Sequence, residues 1–296
     1  MTNILFFSDS KCINLYPINL GKCASTLHFG VRSVSTQWVE AIAENKIKNT
    51  SCIRLNSRLM PTKASVEFVC QMISGDKWVV NGETLAEIEG DVSKEVGGDV
   101  SAILTASAAD YFELCGEGIR TDIDRLKLVW GARSLDESER ESWAMNGVFF
   151  HGDLEKVHIS PGVKIRSCTI NTESGDVILG PHSEIMEGSC IRGPFALGEN
   201  STVKMGSQIY GPTSIGQHCK VGGEVSNIVM HDYSNKGHGG FVGNSVIGSW
   251  CNLGAETTSS NLKNTYGEVK LYSAKERKLI HGGRIFCGLL MGDHSK

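Results

Sequence analysis

The sequence predicts two architectures in one chain: an α/β domain over residues 1–146, then a parallel β-helix of hexapeptide repeats over residues 147–296. Three observations predict it. Eight aliphatic residues, Leu179, Ile185, Ile191, Leu197, Val203, Ile209, Ile215 and Val221, stand six apart in an unbroken row. That period fits neither a helix nor a half-buried strand, and it marks short strands winding a solenoid of triangular section. Glycine is divided unevenly, with 10 up to residue 146 and 24 beyond it, as a chain that turns every few residues requires. Strand-like and helix-like segments alternate in the first half, the pattern of an α/β fold.

Taken in order, "NILFF" at 3–7 reads as a buried strand. "STQWVEAIAENKIKN" at 35–49 reads as an amphipathic helix with Val39, Ile42, Ala43 and Ile47 on one face and a Ser/Thr start. "SCIRL" and "KWVVNG" are strand-like, the second ending in an Asn-Gly turn suited to a hairpin. "DVSAILTASAADYFELC" at 99–115 reads as helical. A nucleotide-binding opening would place a glycine-rich loop directly after the first strand, so that backbone amides could approach phosphates. Here no glycine precedes Gly21, and Lys11, Lys22 and Arg32 read as solvated charges before phosphate contacts.

In the second half each hexad supplies a strand and a turn, and three hexads make one coil. The aliphatic row fills the interior. Four residues after each member stand Ser183, Ser189, Phe195, Ser201, Ser207, Thr213 and Cys219, mostly small, as tight corners require. Hexapeptide solenoids wind left-handed, an exception to the right-handed rule for parallel crossovers. The row breaks after Val221 and resumes at Phe241, Ile247 and Leu253. The intervening "EVSNIVMHDYSNKGHGG" is expected to project as a loop, where chemistry tends to sit.

Composition narrows the class. A net charge of −4 and a pI near 6.1 argue against a nucleic-acid-binding protein. No run of 18 apolar residues suggests a membrane span, and no secretory signal is evident. Ten scattered cysteines without a C-x-x-C pair read as reduced apolar fillers, which makes the cytoplasm the expected compartment. A trimeric zinc site would need three converging imidazoles. His231 and His238 are seven apart and His218 lies on an earlier coil, so no metal is expected.

"GPHSEIMEGSCIRGPFAL", "SNKGHGGFVGNSVIGSWCNLGAETTSSNLKN" and "GLLMGDHSK" resemble the bifunctional sugar-1-phosphate enzymes of bacteria and archaea. In these a nucleotidyltransferase domain precedes a left-handed β-helix acyltransferase domain, as in N-acetylglucosamine-1-phosphate uridyltransferase/glucosamine-1-phosphate acetyltransferase. The resemblance covers residues 147–296 closely, and residues 1–146 only through "NILFF", "LYPINL" and overall order. It implies a homotrimer that binds acetyl-CoA and a sugar phosphate. The family's K-x-H segment falls on Lys236 and His238, followed by Phe241, Gly243 and Asn244. The resemblance thus implies His238 as general base and Lys236 as a substrate contact. It further implies that Asn252 and Asn261 lie near the sugar phosphate, that the Ala255 backbone faces acetyl-CoA, and that Lys270 meets the phosphate. Phe241 stands where the family often has tyrosine, and the family's solenoid continues well beyond the match to "MGDHSK", so the chain reads as a fragment, the product of a truncated gene or a shortened paralogue.

The family's glycine-rich activating loop, with its arginine and downstream lysine, has no counterpart in the first domain. This marks that domain as a degenerate nucleotidyltransferase, which would need Mg2+ only if active. Three functions follow in order of preference: N-acetylation of an amino-sugar 1-phosphate, sugar-1-phosphate nucleotidyl transfer with the solenoid for assembly, and a trimeric scaffold without catalysis.

Overall fold

The structure, a computed structural model, describes residues 3–45, 52–97 and 102–296. Its first part is a five-stranded mixed sheet with helices. β1 (Asn3–Phe7) runs parallel to β2 (Cys52–Asn56). β3 (Asp76–Val80) and β4 (Glu83–Ile88) form the expected hairpin. Asn81 at φ 50° and Gly82 at φ 77° supply the two left-handed residues that its tight turn needs. With β5 (Lys94–Val96) the order is β1-β2-β4-β3-β5.

The first helix differs from expectation in its buried face. α1 (Val34–Glu44) is capped by Ser33, whose hydroxyl accepts the Thr36 N–H. It buries Val34, Trp38 and Ile42, while Val39 is 46 % exposed and Ala43 faces solvent. Trp38 decides the rotation, because its indole N–H reaches the Leu59 carbonyl at 2.9 Å from within the core. Ile47 lies outside the described residues. A short helix, α2 (Lys63–Gln71), follows a Thr62 cap.

The helix expected at 99–115 is not there. Its first residues lie outside the described segments, and from residue 102 to 109 the chain is irregular. Only one turn, α3 (Asp110–Glu113), precedes the long helix α4 (Cys115–Trp130). Two glycines in its first turns hid α4 from a propensity reading. Packing explains one of them: a Cβ on Gly118 would stand 2.4 Å from the Gly30 backbone nitrogen. α4 ends at Gly131, in the left-handed conformation that closes many helices.

At the carboxyl end of β1 and β2 lies the buried Arg58. Its guanidinium donates to Asp9, to Glu83 at 2.7 Å and to the Thr105 carbonyl at 2.6 Å. Burial pushes the Asp9 carboxyl up, but hydrogen bonds from Arg58 and Asn56 outweigh it and hold Asp9 at about 2. Both carboxylates keep about a quarter of their side-chain surface, so Arg58→Met is expected to cost about 2–3 kcal/mol, below the range for a fully buried pair. Urea unfolding checks this, and an unchanged midpoint would contradict it.

The second part consists of short parallel strands, each paired with the strand one coil on. Leu179, Leu197 and Ile215 are in register, as are Ile185, Val203 and Val221, and Ile191 with Ile209. The eighteen-residue coil read from the sequence therefore holds, and all eight members of the row are buried. The small residues four positions on are buried too, and two of their hydroxyls bond across the corners: Ser201 donates to the Gly216 carbonyl at 2.7 Å and Ser189 to that of Lys204 at 2.9 Å. The sheet is a curled array of parallel strands, consistent with a β-helix.

The two parts share packing. α4 lies across one outer face of the solenoid, where Ile119 and Leu126 cluster with Ile178, Ala196 and Val229. Past Gly131 the chain turns to the solenoid: residues 133–134 pair with its strand Val157–Ile159, and Trp143 of α5 (Arg140–Met145) packs on Phe150. A second joint is a pair of stacked imidazoles, His28 from the first part and His231 from the second, with ring centroids 4.4 Å apart. Beside them Lys22 pairs with Asp293 at 2.8 Å, and Asp232 lies 3.7 Å from His28 Nε2. Among the described residues no helix is long and apolar enough to cross a membrane.

Candidate functional site

The segment expected to project as a loop instead forms a shortened coil. β6 (Glu224–Met230) pairs with the strands carrying Ile209 and Ile215, and β7 (Phe241–Ile247) stacks on it. Val225 and Met230 take the interior places of Ile209 and Ile215, so the repeat falls from 18 residues to 16 and 15. Two of the missing residues come from the corner at Gly222–Gly223 and one from the bend inside β6, where Asn227 adopts φ 55°. The row resumes at Val242, with Phe241 beside it on the outside.

Lys236 occupies the next interior place, in register with Val221. It is 1 % exposed, and its ammonium donates to the carbonyls of Gly222 at 2.9 Å, His238 at 2.8 Å and Gly239 at 3.0 Å. Three donors meet three acceptors, which lets a cation sit in an otherwise apolar interior. Burial lowers its pKa and Glu256 opposes the shift. The lysine therefore ties the shortened corner to the corner above it. Lys236→Met keeps the length but leaves those carbonyls unpaired, so a loss of about 1–2 kcal/mol is expected in chemical denaturation. No loss would mean that the carbonyls find other donors.

The corner fixed in this way presents His238, whose side chain is exposed and has no hydrogen-bond partner among the described residues. Residues of the next coil lie 17 further along, as the bridges Asn235 to Asn252 and Val242 to Ser259 show. This offset sets Ala255 over His238 and Glu256 over Gly239. The Glu256 carboxylate lies so close that a Cβ on Gly239 would stand 2.4 Å from it. Sequence reasoning passed over Glu256; its only signal was its place after "NLGA".

The other candidates divide among three places. The Phe241 ring lies over Gly243, and next to it Asn261 donates to Asn244 Oδ1 at 2.6 Å. Asn252 accepts from Asn235 at 2.8 Å one corner earlier. Lys270 sits apart, on an arm inserted in the last coil, whose strands β8 (Lys270–Ser273) and β9 (Lys278–His281) form a hairpin. Coil stacking thus brings His238, Ala255, Phe241 and Asn261 onto two successive turns, and leaves Lys236 inside and Lys270 elsewhere. Trp250 stacks on Tyr233 at 4.5 Å while remaining 56 % exposed.

Of the cations near the first strand, Lys11 pairs with Glu83, Lys22 with Asp293, and Arg32 with Asp122 and Glu40. None of the three is a free phosphate contact. Among the described residues no group of three or more His, Cys, Asp or Glu side chains is placed to hold a metal ion. No protein-family model matches this chain, and no curated protein matches it.

Proposed function

We propose that the chain is an N-acetyltransferase, carrying an acetyl group from acetyl-CoA to the amine of an amino-sugar 1-phosphate such as glucosamine 1-phosphate. On this reading it works as a homotrimer of left-handed solenoids, with His238 as general base. One observation carries it: the break in the hexad row after Val221 ends in an exposed imidazole, on a corner anchored from inside by Lys236 and overlain by Ala255.

The chemistry asks little more of the protein than positioning. The substrate amine attacks the thioester carbonyl carbon, a C–N bond forms and the C–S bond breaks. The imidazole takes the proton that the amine must shed, and that proton ends on the departing thiolate. Phe241, Asn252 and Asn261 would line the acceptor's path, and the Ala255 backbone would face the acyl donor. Lys270, on the inserted arm, is separate from that corner and takes no step in this chemistry.

The test is free-thiol release by the purified protein from acetyl-CoA, with and without glucosamine 1-phosphate. Acceptor-dependent release supports the proposal. Silence there, with pyrophosphate made from UTP or dTTP, Mg2+ and a sugar phosphate, would replace it with nucleotidyl transfer. Silence in both assays from a stable trimer would leave the scaffold.

A further inference from the structure

We propose that the cavity beneath the inserted arm binds a phosphorylated small molecule that carries a ring, independently of any chemistry at His238. The cavity holds about 660 Å3, within the range of small-molecule sites. One wall is the first part of the chain: Asn14, Tyr16 and Pro17 after β1, and residues 106–108. The other wall is the arm, with Lys270, Tyr272, Lys275 and His281. A ligand there would touch both halves of the molecule.

Position supports the proposal. The segment leading into residues 106–108 crosses the carboxyl end of β2, where the Thr105 N–H reaches the Arg58 carbonyl at 3.1 Å. Outside the carboxyl ends of parallel strands is where open α/β sheets take ligands. The central place at that end is filled by Arg58 and its two carboxylates, which leaves the flank under the arm open.

Charge specifies an anion. Besides the two tyrosines, four ionisable side chains line the cavity. Glu276 is paired with Lys278 at 2.9 Å, and His281 with Glu268 at 2.7 Å. Lys270 and Lys275 have no carboxylate within ion-pair distance among the described residues, so the lining includes two lysines whose charge is uncompensated. Lysine suits a phosphate as a mobile point charge. The Tyr16 and Tyr272 rings, one from each wall, meet at 6.0 Å with a tilt of 60° and offer an aromatic surface for the ring where the walls join. Arg284 holds the arm in place by pairing with Asp110 and, at 2.6 Å, with Glu113.

Calorimetry on the full chain distinguishes the sources of such a ligand, with inorganic phosphate, glucosamine 1-phosphate and UDP as separate probes. At least one ring-bearing phosphate is expected to bind at least about tenfold more tightly than inorganic phosphate. Lys270→Met/Lys275→Met should weaken it by about tenfold or more, roughly 1.4 kcal/mol, with the thermal midpoint unmoved because both side chains are exposed. Tyr272→Ala should weaken the ring-bearing ligand and leave inorganic phosphate unchanged. The proposal is overturned if no probe binds, if inorganic phosphate binds as tightly as the others, or if the double variant binds as the wild type does. Because binding is read without turnover, a negative thiol-release assay leaves this test intact, and the reverse also holds.

Discussion

Replacing His238 with alanine is expected to lower acceptor-dependent thiol release by about 10²–10⁴-fold, the ordinary worth of a positioned general base. The thermal midpoint should stay where it is, because the imidazole is exposed and bonds to nothing among the described residues. The loss should fall on kcat, with the KM for acetyl-CoA little changed, since the proposed reading gives the donor to the Ala255 backbone and not to the imidazole. A variant that releases thiol at the wild-type rate would remove His238 from the reaction. If activity and midpoint fell together, the residue would be structural. Lys236→Met is a useful companion, since it loosens the corner without removing the imidazole.

Stability is expected to fall steeply below about pH 6.5, and the stacked pair His28 and His231 is the reason. Burial holds both below the ordinary histidine value. For His28, Asp232 and Asp293 push back up while Lys22 pushes down; His231 is pressed lower still by His28 and Lys22. In the sign of the linkage, each imidazole stays neutral in the fold, whereas the unfolded chain takes up a proton below about pH 6.5. The contribution is therefore full well above that pH and is lost as pH falls, with a slope that rises towards, and does not exceed, about 1.4 kcal/mol per histidine per pH unit. Two such groups give at most about 2 kcal/mol between pH 6.5 and 5.5, because their unfolded forms are only half protonated at pH 6.5. Asp9, held at about 2, has no part in that window. Urea titrations at pH 7.5, 6.5 and 5.5 measure the slope, which His28→Gln/His231→Gln should flatten. A flat profile in the wild type, or an unaltered slope in the double variant, would show that the pair does not control it.

Much of this could be read from residue order. The hexad row, its small corner residues and the Asn-Gly hairpin are local patterns, and each repeats a spacing or a dihedral requirement that the chain cannot disguise. α4 was illegible for a specific reason. Gly118, which weakens it as an isolated helix, is what lets it approach the Gly30 backbone, and that contact joins residues 88 apart in the chain. Val39 was misplaced because the helix turns Trp38 inward, towards a carbonyl on a different segment.

The candidate site divides in the same way. Residue order located the interruption and its histidine, but it took the polar composition of that segment to mean a loop. The segment stays in the coil because the three donors of Lys236 find three carbonyls on two different corners. No spacing rule reports that match. The overlay of Ala255 on His238, the filling of the sheet's carboxyl end by Arg58 and the cavity beneath the arm likewise depend on segments far apart in sequence.

By itself, then, the sequence determined the repeat, the interior row, the corners and the division into two architectures, because periodicity and turn chemistry act over a few residues. The tertiary structure alone decided which polar groups could be buried, which cations were already paired and where open space remained. Those outcomes depend on partners supplied by distant parts of the chain, and a charge or a glycine has no fixed meaning until its neighbours are in place.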